Sequence, residues 1–582
     1  MKKIFKVSIT AALMLGFGSS CSNSFLEVVP KTGLSEATLA NRDGVRLLLV
    51  AAYSLLDGVQ TNVGQAPFAD WHGSADNWVY GEVNADNAYK GSISGDQPEI
   101  SFIEQKQIQP DNVHFRGKWR AVYDGVARAN DVLQMVPKAR ELSETERTQV
   151  IAQARFLRGH YHFEAKKMWS MAPYIDEATY DPTNIASTKV PNDRDIWPLI
   201  EADLQFAYTN LPVRWPNEPG RATRWAAGAT LAKAFMFQRK FAQAKTIFDA
   251  IVASGQFRLV DRYHDNFRAA TNNNAESIFE IQHSVNDGAA ISNNGNRGAT
   301  LNYPFGGGGS RTTCCGFYQP TQNLVNAFKT DANGLPLLDT FNETDVTNDQ
   351  GLAATAPFTP HTGPLDPRLD WTVGRRDIQF LDWGLHNVGY IRDQSYAGPY
   401  SPKKNVPYGS DIGAGWTGNG NNPRFNANNY RMIRYAHVLL MLAEAEVELG
   451  NLARAQELVN QVRRRAANPE GFVINPNGRP AANYQIGLYT APWTDRNLAM
   501  RAVRFETRLE LAMEGHRFFD LVRWGIAAST LNEYYRVEST KRAYLRGVQF
   551  TANKHEYFPI PLQEILNSQI NGENTLRQNQ GY

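Results

Sequence analysis

Apolar residues recur every three or four positions in several long windows, most regularly between Asn429 and Ala466. Val438, Leu442, Ala445 and Leu449 fall at steps of four, three and four, which places them on one face of a helix. Gly450 and Asn451 follow, residues that can take the positive φ that ends a helix. Ala455, Val459, Val462 and Ala466 then line a second helix whose other side carries Arg and Glu. A break this short folds the two helices back on each other. The same pattern returns from Thr223 to Ala253, and further helices are predicted over 42–56, around Trp119 to Val132, and over 150–168, 196–211 and 494–523.

Both hairpins carry tetratricopeptide spacing: Leu442, Ala443, Gly450, Ala455 and Val459 in one, Leu231, Ala232, Phe235, Phe241, Ala244 and Phe248 in the other. They lie too far apart for a tandem array. Between them, from about 258 to 428, Gly, Asn, Pro and Thr dominate and helical periodicity is rare. The expected fold is mainly α, with tetratricopeptide-like hairpins and a large loop-rich insertion. Its helical scaffold would span 33–257 and 429–582, within one domain running from 21 to 582.

Composition narrows the function. A formal charge of +2 over 582 residues, with no basic stripe, argues against a nucleic-acid partner. Three cysteines are too few for a disulfide scaffold or a structural zinc site. At the amino terminus, Lys2 and Lys3 precede a short apolar run and then Gly18-Ser19-Ser20-Cys21. This is a secretory signal over 1–20, and Cys21 after small residues is the expected site of lipidation. Acyl chains would anchor the chain to a membrane without spanning it.

Catalytic motifs do not emerge. His160 and His162 stand two apart, so on a helix they point to different sides and do not share one metal ion easily. Gly306 to Ser310 lacks the Gly-Lys-Ser/Thr of a phosphate cradle, and no GxSxG elbow occurs. Asp76, Asp86 and Asp96 leave a glycosidase pair open, since such a pair is defined in space. No enzyme and no cofactor is expected, and no motif supports structural calcium in the Asp-rich loops. Arg501, Arg504, Glu506, Arg508, Glu510, Glu514 and Arg517 carry i, i+4 spacings and predict a salt-bridged helix face. Cys314 and Cys315 are adjacent, either bonded as a vicinal pair or two free thiols.

Binding rests on aromatics. A sugar ring offers an apolar C–H face to Trp or Tyr and a hydroxyl rim to Asn, Asp and Arg. Trp71, Asn77, Trp78, Tyr80 and Tyr89 form one candidate set, among Asp70, Asp76, Asn84 and Asp86. Tyr303, Phe305 and Tyr318, with Asn302 and Arg311, form a second, and Trp416 among glycines a third. For any single ring the competing role is to pack a loop against the scaffold.

Several long stretches resemble the SusD/RagB family of surface lipoproteins from Bacteroidetes nutrient-uptake systems. They are CSNSFLEVVPK, ARFLRGHYHFEAKKMW, ESIFEIQ, IRYAHVLLMLAEAEVELG, LELAMEGHRFFDLVRWG, HEYFPIPLQEI and the terminal LRQNQGY. The resemblance implies four tetratricopeptide-like helix pairs, an outer-membrane location facing the exterior, and a SusC-like TonB-dependent transporter as partner. It also implies capture of oligosaccharides, or in some branches peptides, for delivery to that transporter. A peptide receptor of RagB type is the alternative, and a secreted glycosidase a more distant one.

Overall fold

The computed structural model describes residues 36–58, 71–288, 294–312, 314–417 and 424–582. The predicted signal segment, 1–20, and Cys21 lie outside the described residues. Eleven of the helices form the frame: α1 (Arg42–Ser54), α2 (Val113–Met135), α3 (Glu144–Trp169), α4 (Trp197–Asn210), α5 (Arg224–Phe237), α6 (Phe241–Ala253), α7 (Tyr435–Glu448), α8 (Leu452–Ala466), α9 (Arg496–Leu511), α10 (Arg517–Arg523) and α11 (Ala527–Glu538). The fold is mainly α. Each of α2 to α6 packs on the next, α7 pairs with α8, and α7 also packs on α6 and α9.

Local chemistry explains the boundaries. Ser143 and Glu146 close a capping box at the start of α3. The Thr223 side chain accepts from the amide of Ala226 to open α5. Gly450, at φ +85, turns the chain between α7 and α8. Ala443, Ala445 and Ala455 are fully buried, which lets those two axes approach. Leu449 departs from the periodic reading: it caps α7 and is 42% exposed, because the apolar stripe ends one turn earlier.

Short strands fasten the loops to this frame. Strand β1 (Ala88–Gly91) pairs antiparallel with β3 (Phe317–Pro320), setting Gly91 opposite Phe317. Strand β2 (Ser277–Ile281) pairs with β4 (Tyr430–Arg434), which runs directly into α7. The main core runs through the helices and into the segment from Trp78 to Tyr89. A satellite core of Tyr303, Phe380, Leu381, Tyr390 and Val406 lies within the loop-rich part, with Trp371, Trp383 and Tyr408 against it.

The Arg/Glu series of α9 and the turn after it does not pair along its own helix face as its i, i+4 spacing predicts. Glu506, Arg508, Glu510 and Glu514 are buried, and their partners come from other segments. Arg434 reaches Glu276 at 2.8 Å, Glu510 at 2.5 Å and Glu514 at 2.8 Å. Arg368 reaches Asp366 at 2.7 Å, Glu506 at 2.7 Å and Glu510 at 3.0 Å. Arg465 pairs with Glu276 and Glu510, Arg463 with Glu506, and Lys404 with Glu514. Periodicity shows which positions share a face, not what covers that face.

Candidate functional site: a loop face over the helical frame

Three segments distant in sequence meet on the loop side of the frame. The first is 71–83, a turn running into a single π-helical stretch (Trp78–Val83). Its Ser74 hydroxyl donates to Asp76, and the short helix Gly298–Leu301 lies directly against that pair. A Cβ on Gly298 would come within 2.2 Å of Ser74 Oγ, so the contact requires glycine. The second segment then continues from that short helix through Tyr303 and Phe305. The third arrives at Asn426, whose backbone accepts from the amide of Asn296 at 2.8 Å and whose Nδ2 donates to Tyr303 Oη at 2.7 Å. Trp416 belongs to the same hairpin, since its carbonyl accepts from Ala427 at 2.9 Å and Thr417 bridges to Asn426.

The structure therefore brings the three candidate sets together, but it buries most of their rings. Trp78, Tyr80, Tyr89, Tyr303 and Tyr318 are at most 5% exposed, and Asn77 is 4% exposed. None of these five rings offers a face to solvent, which corrects the expectation that they stack on a ligand. Tyr80 donates to the carbonyls of His72 and His114 and packs on Phe558. Tyr89 bonds Glu538 on α11. Trp78 packs on Tyr318 with centroids 5.5 Å apart, joining the first and second segments from below. Asn77 donates to Glu164 on α3. These groups form the floor, held by the apolar area they withdraw from water.

Accessible rings remain at three of the predicted positions. Trp416 is exposed, and Trp71 and Phe305 are half-buried. Phe305 is fixed by its amide to the Tyr390 carbonyl at 2.7 Å, and the Arg392 guanidinium stands 5.5 Å over its ring. Arg392 itself donates to Ser92 and Asp96, each at 2.8 Å. Asp76 is half-buried, and burial raises its carboxyl against the lowering bonds from Ser74 and Trp78. Cys314 and Cys315 are joined by a disulfide, with Cys314 half-buried beside this face. The three segments thus present flat rings together with amides, a carboxyl and a guanidinium.

Sequence reasoning missed Arg392, Asn296 and Asn426. No spacing marks Arg392. The asparagines stand in Asn-rich runs, where only the pairing of two hairpins singles them out.

A model of the SusD family matches residues 275–582, and a second, described as starch-binding associating with outer membrane, matches residues 25–236. The chain belongs to the SusD family. This SusD-family chain is similar to SusD-like protein P25 of Formosa agariphila, at 25% identity over 580 residues and 96% of each chain. It is 24% identical over 295 residues to a SusD-like protein of Bacteroides ovatus, covering 48% of this chain and 50% of that one. A laminarin binding SusD-like protein of known structure matches with a TM-score of 0.66 at 25% identity, covering 93% of this chain and 100% of the other. Surface glycan-binding protein A from Bacteroides thetaiotaomicron, solved with laminarihexaose, shares the fold with a TM-score of 0.65 at 21% identity, over 93% and 99% of the two chains. Two of these relatives of the SusD-family chain are thus named as binding proteins.

Proposed function

We propose that the loop face binds an oligosaccharide, and that the chain is a lipid-anchored outer-membrane receptor passing its ligand to a SusC-like TonB-dependent transporter. The observation that carries this reading is the convergence of three segments, each of which keeps one ring accessible: Trp71, Phe305 and Trp416. Flat rings would stack on the C–H faces of the sugars, while Asn, Asp and Arg side chains serve the hydroxyls. The laminarin binding relative, at 25% identity over nearly the whole chain, supports laminarin as the first ligand to try. Membrane attachment would run through Cys21. No described helix is long and apolar enough to cross a membrane. The role is capture, with no catalytic step.

Calorimetry with laminarin oligosaccharides, and with peptides of matched length, tests the reading. Saturable heats with the sugars that disappear on replacing Trp416 and Trp71 together support it. Saturable binding of peptides alone overturns it.

A further inference from the structure

Behind the floor of the loop face lies a small cavity of about 40 Å³, enough for one small ion or a few waters. Asn77, Lys118, His160, Glu164, Lys167 and Lys233 line it. Lys118, Lys167, His160, Glu164 and Asn77 are all at least nine-tenths buried, and Lys233 is half-buried. Three lysines therefore line a cavity with one carboxylate. That carboxylate is already engaged: Glu164 Oε1 accepts from Lys167 at 2.6 Å, and Oε2 accepts from Asn77 at 3.2 Å with Lys118 at 3.7 Å.

The imbalance stands out within this molecule. In the network around Arg434, five cations (Arg368, Lys404, Arg434, Arg463, Arg465) meet five carboxylates (Glu276, Asp366, Glu506, Glu510, Glu514) at ion-pair distance. Asp76 acts on Lys118 from outside the cavity lining, but the groups that line the cavity carry a positive surplus, and burying charge without a full counter-charge is costly, which calls for an anion. Lys233 makes no ion pair and no hydrogen bond among the described residues; Asp520 and Glu164 act on it only at longer range. His160 also lines the cavity, and its ring makes no hydrogen bond among the described residues. Burial lowers both Lys118 and Lys233 to about 8, so both are still charged at neutral pH. The same burial lowers His160 to about 4, leaving a neutral ring able to donate one N–H.

We propose that this cavity is a binding site for one small inorganic anion of halide size, held by Lys118, Lys167 and Lys233 with an N–H from His160. The position gives the anion work to do. Lys118 also donates to the carbonyls of Gly73 and Ser74, at 3.2 and 3.1 Å, and Asn77 lies in the same turn. An anion here ties the 73–77 turn, part of the loop face, to α2, α3 and α5.

The test uses the full chain and chloride as the probe. Thermal unfolding is followed while sodium chloride replaces sodium gluconate at constant ionic strength. The midpoint should rise and saturate, by on the order of 1–3 °C, as expected for a ligand that binds only the folded state. In Lys233→Met, which removes a charge but no hydrogen bond, the rise should vanish. Crystals soaked in bromide should show an anomalous peak among the three lysine Nζ atoms of the unmodified protein, a readout that does not need the variant to fold. No chloride-specific rise, an equal rise in Lys233→Met, or waters without a bromide peak would each overturn the site. None of these outcomes bears on glycan binding, which is measured separately.

Discussion

The buried ion network around Arg434 and the loop face above it are built from similar polar residues, and they differ in what satisfies those residues. In the network every charge is matched from inside the protein: Arg434 alone meets three carboxylates from two distant segments. On the face, Arg392 meets one carboxylate, Asp96, with Ser92 and the Phe305 ring among the described residues, while the Trp416 ring is left to solvent. Polar groups that the fold satisfies hold its shape, and groups that it leaves partly open are available to a ligand. One region should therefore control stability with little direct effect on affinity, and the other the reverse.

The largest effect should come from the network. Glu510→Gln leaves Arg368, Arg434 and Arg465 short of a carboxylate and should cost about 3–5 kcal/mol in urea unfolding. A loss below 1 kcal/mol would mean that the network is not the structural centre. The pH profile sharpens the same point. Burial opposes ionisation of Glu510, but Arg465, Arg434 and Arg368 reverse this and hold its carboxyl well below the usual 4.5. Its contribution is thus present above pH 4.5 and lost as the pH falls, so Glu510→Gln should flatten the acid limb of the stability curve. Glu82 runs the other way: burial pushes it up to about 7 from 4.5, so its contribution is full below pH 4.5 and fades as the pH rises through 7. Glu82→Gln should remove that decline, and urea midpoints collected from pH 4 to 8 check both signs.

A smaller effect is expected where the two regions touch. Gly515, at φ +84, approaches the Asp76 carbonyl so closely that a Cβ would come within 1.7 Å. Gly515→Ala should cost at least about 1–3 kcal/mol and weaken glycan binding as well, since the backbone of Asp76 must move. If calorimetry finds affinity untouched while stability falls, the face is mechanically independent of the network. Next comes Trp416→Ala, expected to lower affinity for the bound oligosaccharide by about 1–2 kcal/mol, roughly 5- to 30-fold. Its stability should stay within about 0.5 kcal/mol, because the ring is exposed. Smallest is Arg501→Ala, which breaks a surface pair with Asp339 and should change stability by less than about 1 kcal/mol. A larger loss there would show that the surface end of α9 shares the network's role.

Much of the frame was legible in the residues. The two hairpins at α5–α6 and α7–α8 fall where apolar periodicity and Gly450 place them, because a helix face is set by neighbours three and four positions away. The capping box at Ser143 starts α3 six residues before the predicted 150. The face was legible only as a set of segments. Trp71, Phe305 and Trp416 kept accessible surface, whereas Trp78, Tyr80, Tyr89, Tyr303 and Tyr318 did not, and nothing in their flanking residues separates the two groups.

By itself the sequence determined the helical frame and the segments rich in rings and amides, since both follow from local patterns. Tertiary structure decided which rings close the core and which charges find partners. Tyr89 is covered through Glu538, 449 positions away, and Arg434 through Glu276 and Glu514. Burial is a property of what packs on a residue, and that partner is chosen by the whole chain rather than by its neighbours.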